Sequence, residues 1–198
     1  MRAFSSKVNL IIAGTCILYL FSGCSKAPDA QLSAAKAALQ AAKDAEADKY
    51  MSRNFKNVQK AIEQAETEIA TQNTKFPLYR KYKRAEAYLK NATDLATEIA
   101  KEAPKAKEAT IAQVKENLTL VKGMLEETAN DIKKASKLKD KKGIIDALKT
   151  NLNSADNAAT RASNNFNAGD VLQASEDLKE VQAYIKSITD ALKPKEAM

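Results

Sequence analysis

Apolar residues recur three and four positions apart along most of this chain, the spacing that lines one face of an α-helix. A first stripe, over 29–48, carries Leu32, Ala35, Leu39 and Ala42. A second, over 53–73, carries Phe55, Val58, Ile62, Ala65 and Ile69, with Ser52 as its expected cap. A third starts near Pro77, a residue that suits a first helical turn, and carries Leu78, Tyr82, Ala85, Leu89, Ala92, Ala96 and Ile99. A fourth carries Ile111, Val114, Leu118, Val121, Leu125, Thr128, Ile132 and Ala135. A fifth shows Ile145, Leu148, Leu152, Ala155, Ala159, Ala162 and Phe166. Gly169-Asp170 marks a turn with Asp170 as N-cap. The sixth then runs Val171, Ala174, Leu178, Val181, Ile185, Ile188 and Leu192, and stops at Lys193-Pro194.

The stripes are narrow, as in coiled coils and helical bundles, and the opposite faces are Lys, Glu, Asp, Gln and Asn. Composition sharpens this picture. Of 198 residues 36 are Ala, whereas Gly number five and Pro four, which disfavours turn-rich β folds. The expected fold is all-α: an elongated antiparallel helical bundle of about six helices.

Pro104 interrupts the pattern. Ile99 and Ile111 are 12 residues apart, where a continuing heptad stripe needs 11 or 14. The link holds no Gly, so a kinked helix through Pro104 is expected rather than a break. The flanking halves share an octet: Ala87-Tyr88-Leu89-Lys90-Asn91-Ala92-Thr93-Asp94 reads against Ala183-Tyr184-Ile185-Lys186-Ser187-Ile188-Thr189-Asp190. Residues 29–103 and 105–192 are therefore read either as two copies of a three-helix unit or as Ala-rich helices alike by chance.

Before the stripes, residues 1–7 carry Arg2 and Lys7 with no acid, and 8–21 are mostly apolar. That run is short for a membrane span, which needs about 20 apolar residues, and fits an export signal. It ends in Phe21-Ser22-Gly23-Cys24, which resembles the bacterial lipobox, with Phe21 where Leu is usual. The resemblance implies cleavage before Cys24, acylation of its thiol, and a membrane-anchored envelope lipoprotein. Ser25 is not the Asp associated with inner-membrane retention, so the resemblance implies the outer membrane, facing the periplasm. Cys16 leaves with the signal, and Cys24 remains as the lone thiol. Arg2 and Lys7 leave too, so the net charge of +7 falls to +5. The expected organisation is signal peptide 1–23, lipidated tether 24–28, helical units 29–103 and 105–192, and tail 193–198.

The run Ala35-Lys36-Ala37-Ala38-Leu39-Gln40-Ala41-Ala42, with Tyr50, Phe76, Tyr82 and Ala85, makes 29–102 similar to an Ala-rich helical domain of unknown function in bacterial envelope lipoproteins. That family has no assigned reaction, so the resemblance implies no catalytic residues.

Chemistry is sparse. The chain has no His, which removes the commonest general base and metal ligand. Glu66, Glu68, Asp94 and Glu98 fall off the apolar stripes and read as a solvated face. No phosphate-cradling Gly-rich loop is present. The expectation is a protein that is not an enzyme and has no cofactor, no metal site and no catalytic residues. Two basic clusters remain. Lys75, Arg80, Lys81, Lys83 and Arg84 interleave with Phe76, Tyr79 and Tyr82, a mixture suited to phosphate, sugar or headgroup contact. The plainer reading is that Phe76 and Tyr82 close the bundle end while the charges solvate it. Lys133, Lys134, Lys137, Lys139, Lys141 and Lys142 read as complements to a helix C-terminus. The expected function is a lipid-anchored structural or protein-interaction module. The alternative is binding of an anionic lipid, glycan or peptide by 75–84 or an interhelical groove. Expected partners are the membrane through Cys24 and an envelope protein or polymer, not nucleic acid.

Overall fold

The computed structural model describes residues 26–193, so the lipobox and Cys24 lie outside the described residues. Within 26–193 the elements are α1 (Asp29–Asp44), α2 (Ala47–Tyr50), α3 (Ser52–Asn73), a 3-10 turn (Pro77–Tyr79), α4 (Lys83–Ala135), a second 3-10 segment (Lys139–Ile144), α5 (Ile145–Asn167) and α6 (Val171–Leu192). No strand forms among the described residues, and the helices pack as an all-α bundle. The chain divides into two compact units after Ala106, and α4 contributes residues to both.

The first unit packs α1, α3 and the beginning of α4 through Val58, Ile62, Leu89 and Ile99, with Ala35, Ala65, Ala85, Ala92 and Ala96 fully buried among them. One-carbon side chains let helix axes approach closely, although each buries little apolar area. In the second unit Val114, Val121, Ala155, Ala162, Leu178 and Val181 form one cluster, and Ile132, Ile145, Leu148 and Ile188 another. Every buried side-chain nitrogen and oxygen among the described residues has a hydrogen-bond partner.

Three expectations need correction. The first helix ends at Asp44, because Glu46 adopts a left-handed backbone (φ 61°) and turns the chain into α2. Ser52 is the first residue of α3 rather than a side-chain cap. The third helix begins at Lys83, not near Pro77, and Leu78 is 70% exposed instead of lining a core. Pro77 starts only a 3-10 turn, after which Arg80 is extended. α4 then runs through Pro104, whose missing N–H cannot bond the Ala100 carbonyl.

The α5–α6 connection is well specified. Gly169 has φ 85°, a conformation that costs a side-chain-bearing residue about 1 kcal/mol or more. Asp170 N–H bonds Asn165 O at 2.8 Å and Gly169 N–H bonds Phe166 O at 3.0 Å, closing the end of α5. Asp170 then caps α6, as expected, accepting from Gln173 N–H at 3.3 Å.

Candidate functional site

Between Glu68 and Glu86 the chain carries five cations and no acid. The structure sorts these residues into two kinds. Tyr82 is buried, and its hydroxyl donates to Asn73 Oδ1 at 2.5 Å. Gln72, also buried, donates from Nε2 to Glu68 Oε1 at 2.7 Å, while its Oε1 accepts from Lys81 N–H at 3.1 Å. Arg80 turns back on the chain: Nε donates to Lys75 O at 3.0 Å and Nη2 to Asn73 O at 3.1 Å. Those carbonyls lie at and just beyond the end of α3, where carbonyls have no helical donor. These bonds hold the turn in one shape.

What that shape presents outward is apolar. Phe76, Leu78 and Tyr79 are 66%, 70% and 71% exposed, the three most exposed large apolar side chains among the described residues. The rings of Phe76 and Tyr79 lie 6.3 Å apart at a 52° tilt, a favourable aromatic pairing. The aromatic buried at this end of the first unit is thus Tyr82, and Phe76 is not part of the core. Lys75, Lys81 and Lys83 are exposed around the turn, and among the described residues none is in an ion pair with a carboxylate. Lys75 Nζ reaches Gln72 Oε1 at 3.1 Å.

Arg84 faces elsewhere. Its Nε donates to the Tyr88 hydroxyl at 3.2 Å and its Cζ lies 5.7 Å from the Tyr88 ring centroid. The hydrogen bond to Tyr88 raises its pKa further above the already high guanidinium value. Arg84 and Tyr88 line an open groove with Lys60, Glu63, Thr67 and Glu68, so that groove mixes both signs of charge. The seven sequence-selected residues therefore divide: Lys75, Phe76, Tyr79, Lys81 and Lys83 surround the turn, Arg80 shapes it, and Arg84 belongs to the groove.

The position of the turn follows from one contact. Lys36 Nζ in α1 meets Glu66 Oε1 in α3 at 2.6 Å. Asp29 lies seven residues before Lys36 and Asn73 seven after Glu66, each about 10 Å further along its helix. Because α1 and α3 are joined by a short link, they run antiparallel. The start of α1 and the end of α3 therefore stand level, at the same end of the first unit. Five residues from Cys24 to Asp29 reach at most about 17 Å.

In the second basic cluster, Lys141 Nζ donates to Ala191 O (3.4 Å) and Lys193 O (3.1 Å), so it serves the C-terminus of α6 rather than of α4. Lys134 pairs with Asp131 at 3.0 Å. No group of three or more His, Cys, Asp or Glu is arranged to hold a metal among the described residues, and no helix there is long and apolar enough to cross a membrane.

One polar constellation escaped the reading of the stripes. Asp177 on α6 is 5% exposed, and its carboxylate accepts from Asn165 Nδ2 at 2.7 Å. Arg161 Nε lies 3.5 Å away, and the same guanidinium bonds Glu180. The sequence signal was available: Asp177 sits three residues after Ala174 and four before Val181, on the edge of the apolar stripe. Its partners are all supplied, so it locks α5 to α6. The chain matches no protein-family model, no curated protein and no solved structure.

Proposed function

We propose that this chain is a lipid-anchored structural or protein-interaction module of the bacterial cell envelope, held to the outer membrane on its periplasmic side by an acylated Cys24. The observation that carries the reading is the Lys36–Glu66 pair at 2.6 Å. It supports the reading because the start of α1, which follows the proposed tether, stands level with a turn that is basic and apolar at once, two features suited to a bilayer. Two or three acyl chains anchor stably, since each buried CH₂ contributes about 0.8 kcal/mol. The helix faces beyond that end are free to display a surface to another envelope component.

The second reading, binding of an anionic lipid, glycan or peptide through 75–84, is favoured by the exposure of Phe76 and Tyr79 beside Lys75 and Lys81. The Arg84 groove supports it less, because Glu63 and Glu68 line it. Fractionation of bacterial cells tests the anchor. The wild-type chain is expected to sediment with membranes and partition into detergent, and Cys24→Ser to become soluble or stay unprocessed. Equal partitioning of both chains in processed form contradicts the reading.

A further inference from the structure

We infer that the Pro77–Tyr79 turn inserts into the interface of an anionic bilayer, with Phe76, Leu78 and Tyr79 among the upper acyl chains and Lys75, Lys81 and Lys83 at the headgroups. The inference rests on the reading of Cys24 as the anchor, which brings the turn to the lipid, and deepens it by naming what the turn meets there.

Several observations converge on a lipid surface. Three consecutive large apolar side chains, broken only by Pro77, project outward with two-thirds or more of their surface bare. A glycan or polyphosphate is held by charge and hydrogen bonds and gains little from Leu78, whereas a bilayer rewards apolar burial beneath a ring of cations. Acids are absent from the chain between Glu68 and Glu86, so the turn itself carries only cations toward anionic headgroups. Five of them stand against the single carboxylate of Asp29 at the start of α1. Aromatic rings with a polar tip, as Tyr79 has, settle at membrane interfaces.

The backbone on either side of the tip is also satisfied in advance. Lys81 N–H and the carbonyls of Asn73 and Lys75 are already bonded to Gln72 and Arg80, so they need no water when the tip enters lipid. Finally, the chain that precedes α1 joins it at this same end. Acyl chains and turn together then make a two-point attachment that stands α1 and α3 away from the membrane, with the Glu46 turn distal.

The test uses the mature chain, residues 24–198, in which Cys24 is the single thiol. Coupling Cys24 to a maleimide-headgroup lipid in vesicles supplies the anchor chemically, whatever happens to Cys24 in the cell. The protein has no Trp, so Tyr79→Trp reports the turn and Lys43→Trp, in the last turn of α1, reports the opposite end. On vesicles containing phosphatidylglycerol the Tyr79→Trp emission is expected to move to the blue and to be quenched by brominated acyl chains, and the Lys43→Trp emission to do neither. Adding Phe76→Ser and Leu78→Ser is expected to abolish the quenching while far-UV circular dichroism stays unchanged. Lys75→Gln and Lys81→Gln are each expected to lower the inserted-to-free ratio about fivefold. Absence of quenching of the Tyr79→Trp chain on anionic vesicles overturns the inference, whatever a soluble polyanion does to the same emission. Quenching there, together with a cellular chain lacking acyl groups, upholds the insertion and removes only the anchor.

Discussion

Tyr82 donates a hydrogen bond from its hydroxyl to Asn73 Oδ1 at 2.5 Å, across the turn that separates α3 from α4. One aromatic of the 76–82 segment is thereby assigned to the fold, and the other two are left outside it. Tyr82→Phe is expected to lower stability by about 1 kcal/mol through the lost bond, and Tyr82→Ala by about 3–5 kcal/mol through the cavity. Phe76→Ala and Tyr79→Ala, at exposed positions, are expected to change it by less than about 0.5 kcal/mol. Urea midpoints of the four variants make the comparison. A loss at Phe76 equal to that at Tyr82 would mean that Phe76 closes the bundle end after all.

The antiparallel register of α1 and α3 is open to direct measurement. Spin labels at Asp29 and Asn73, both exposed, are expected to lie within about 20 Å, because packed helix axes are 8–10 Å apart. Labels at Asp29 and Ser52 should be separated by about the 33 Å length of a 22-residue helix. Reversal of the two distances would move the turn to the far end from the start of α1.

Asp177 gives a stability prediction for the second unit. Asp177→Ala removes the acceptor of Asn165 and a partner of Arg161, with a loss of about 2–3 kcal/mol in thermal or urea unfolding. Glu180→Ala, at the exposed end of the same network, is expected to cost less than about 1 kcal/mol.

Acid titration has a clear signature at Asp190. Hydrogen bonds from Lys186 and then Lys193 lower its carboxyl pKa from the usual 3.8 to about 2. Because the folded value is depressed, the stabilisation it brings is complete above pH 3.8 and drains away as the pH falls through about 2. A carboxyl NMR titration should find the midpoint near 2, and Lys186→Met should return it further toward 3.8 than Lys193→Met does.

Much of the fold was written in the spacing of single residues. Val58, Ala65, Leu89, Ala96, Ala155 and Val181 stand on the stripes and are buried without exception. Periodicity failed where a local competitor was stronger. Leu78 and Tyr82 are four apart, which extends the third stripe back to Pro77. The buried Gln72 side chain, however, takes the Lys81 N–H and holds the chain out of the helix until Lys83. No spacing rule anticipates a glutamine used in that way. The two similar octets do behave alike locally: Lys90 pairs with Asp94 at 2.5 Å and Lys186 with Asp190 at 2.6 Å, while Leu89 and Ile185 are buried.

The candidate site was legible as a composition and not as a geometry. Its cations and aromatics could be named from sequence, but the division of labour could not. Arg80 looks like Lys81 in a charge count, yet its planar fork reaches two backbone carbonyls and its charge is spent on shape. Charge reversal at Arg80 would therefore disturb the turn itself, whereas Lys75 and Lys81 report on what the turn touches.

The membrane account depends most directly on what the mature N-terminus is, and intact-mass spectrometry of the protein purified from bacterial membranes reads it in one step. The account predicts the mass of residues 24–198 increased by a diacylglyceryl group, with the added mass mapping to Cys24. The full 198-residue mass beginning at Met1, or an unmodified Cys24, would contradict it.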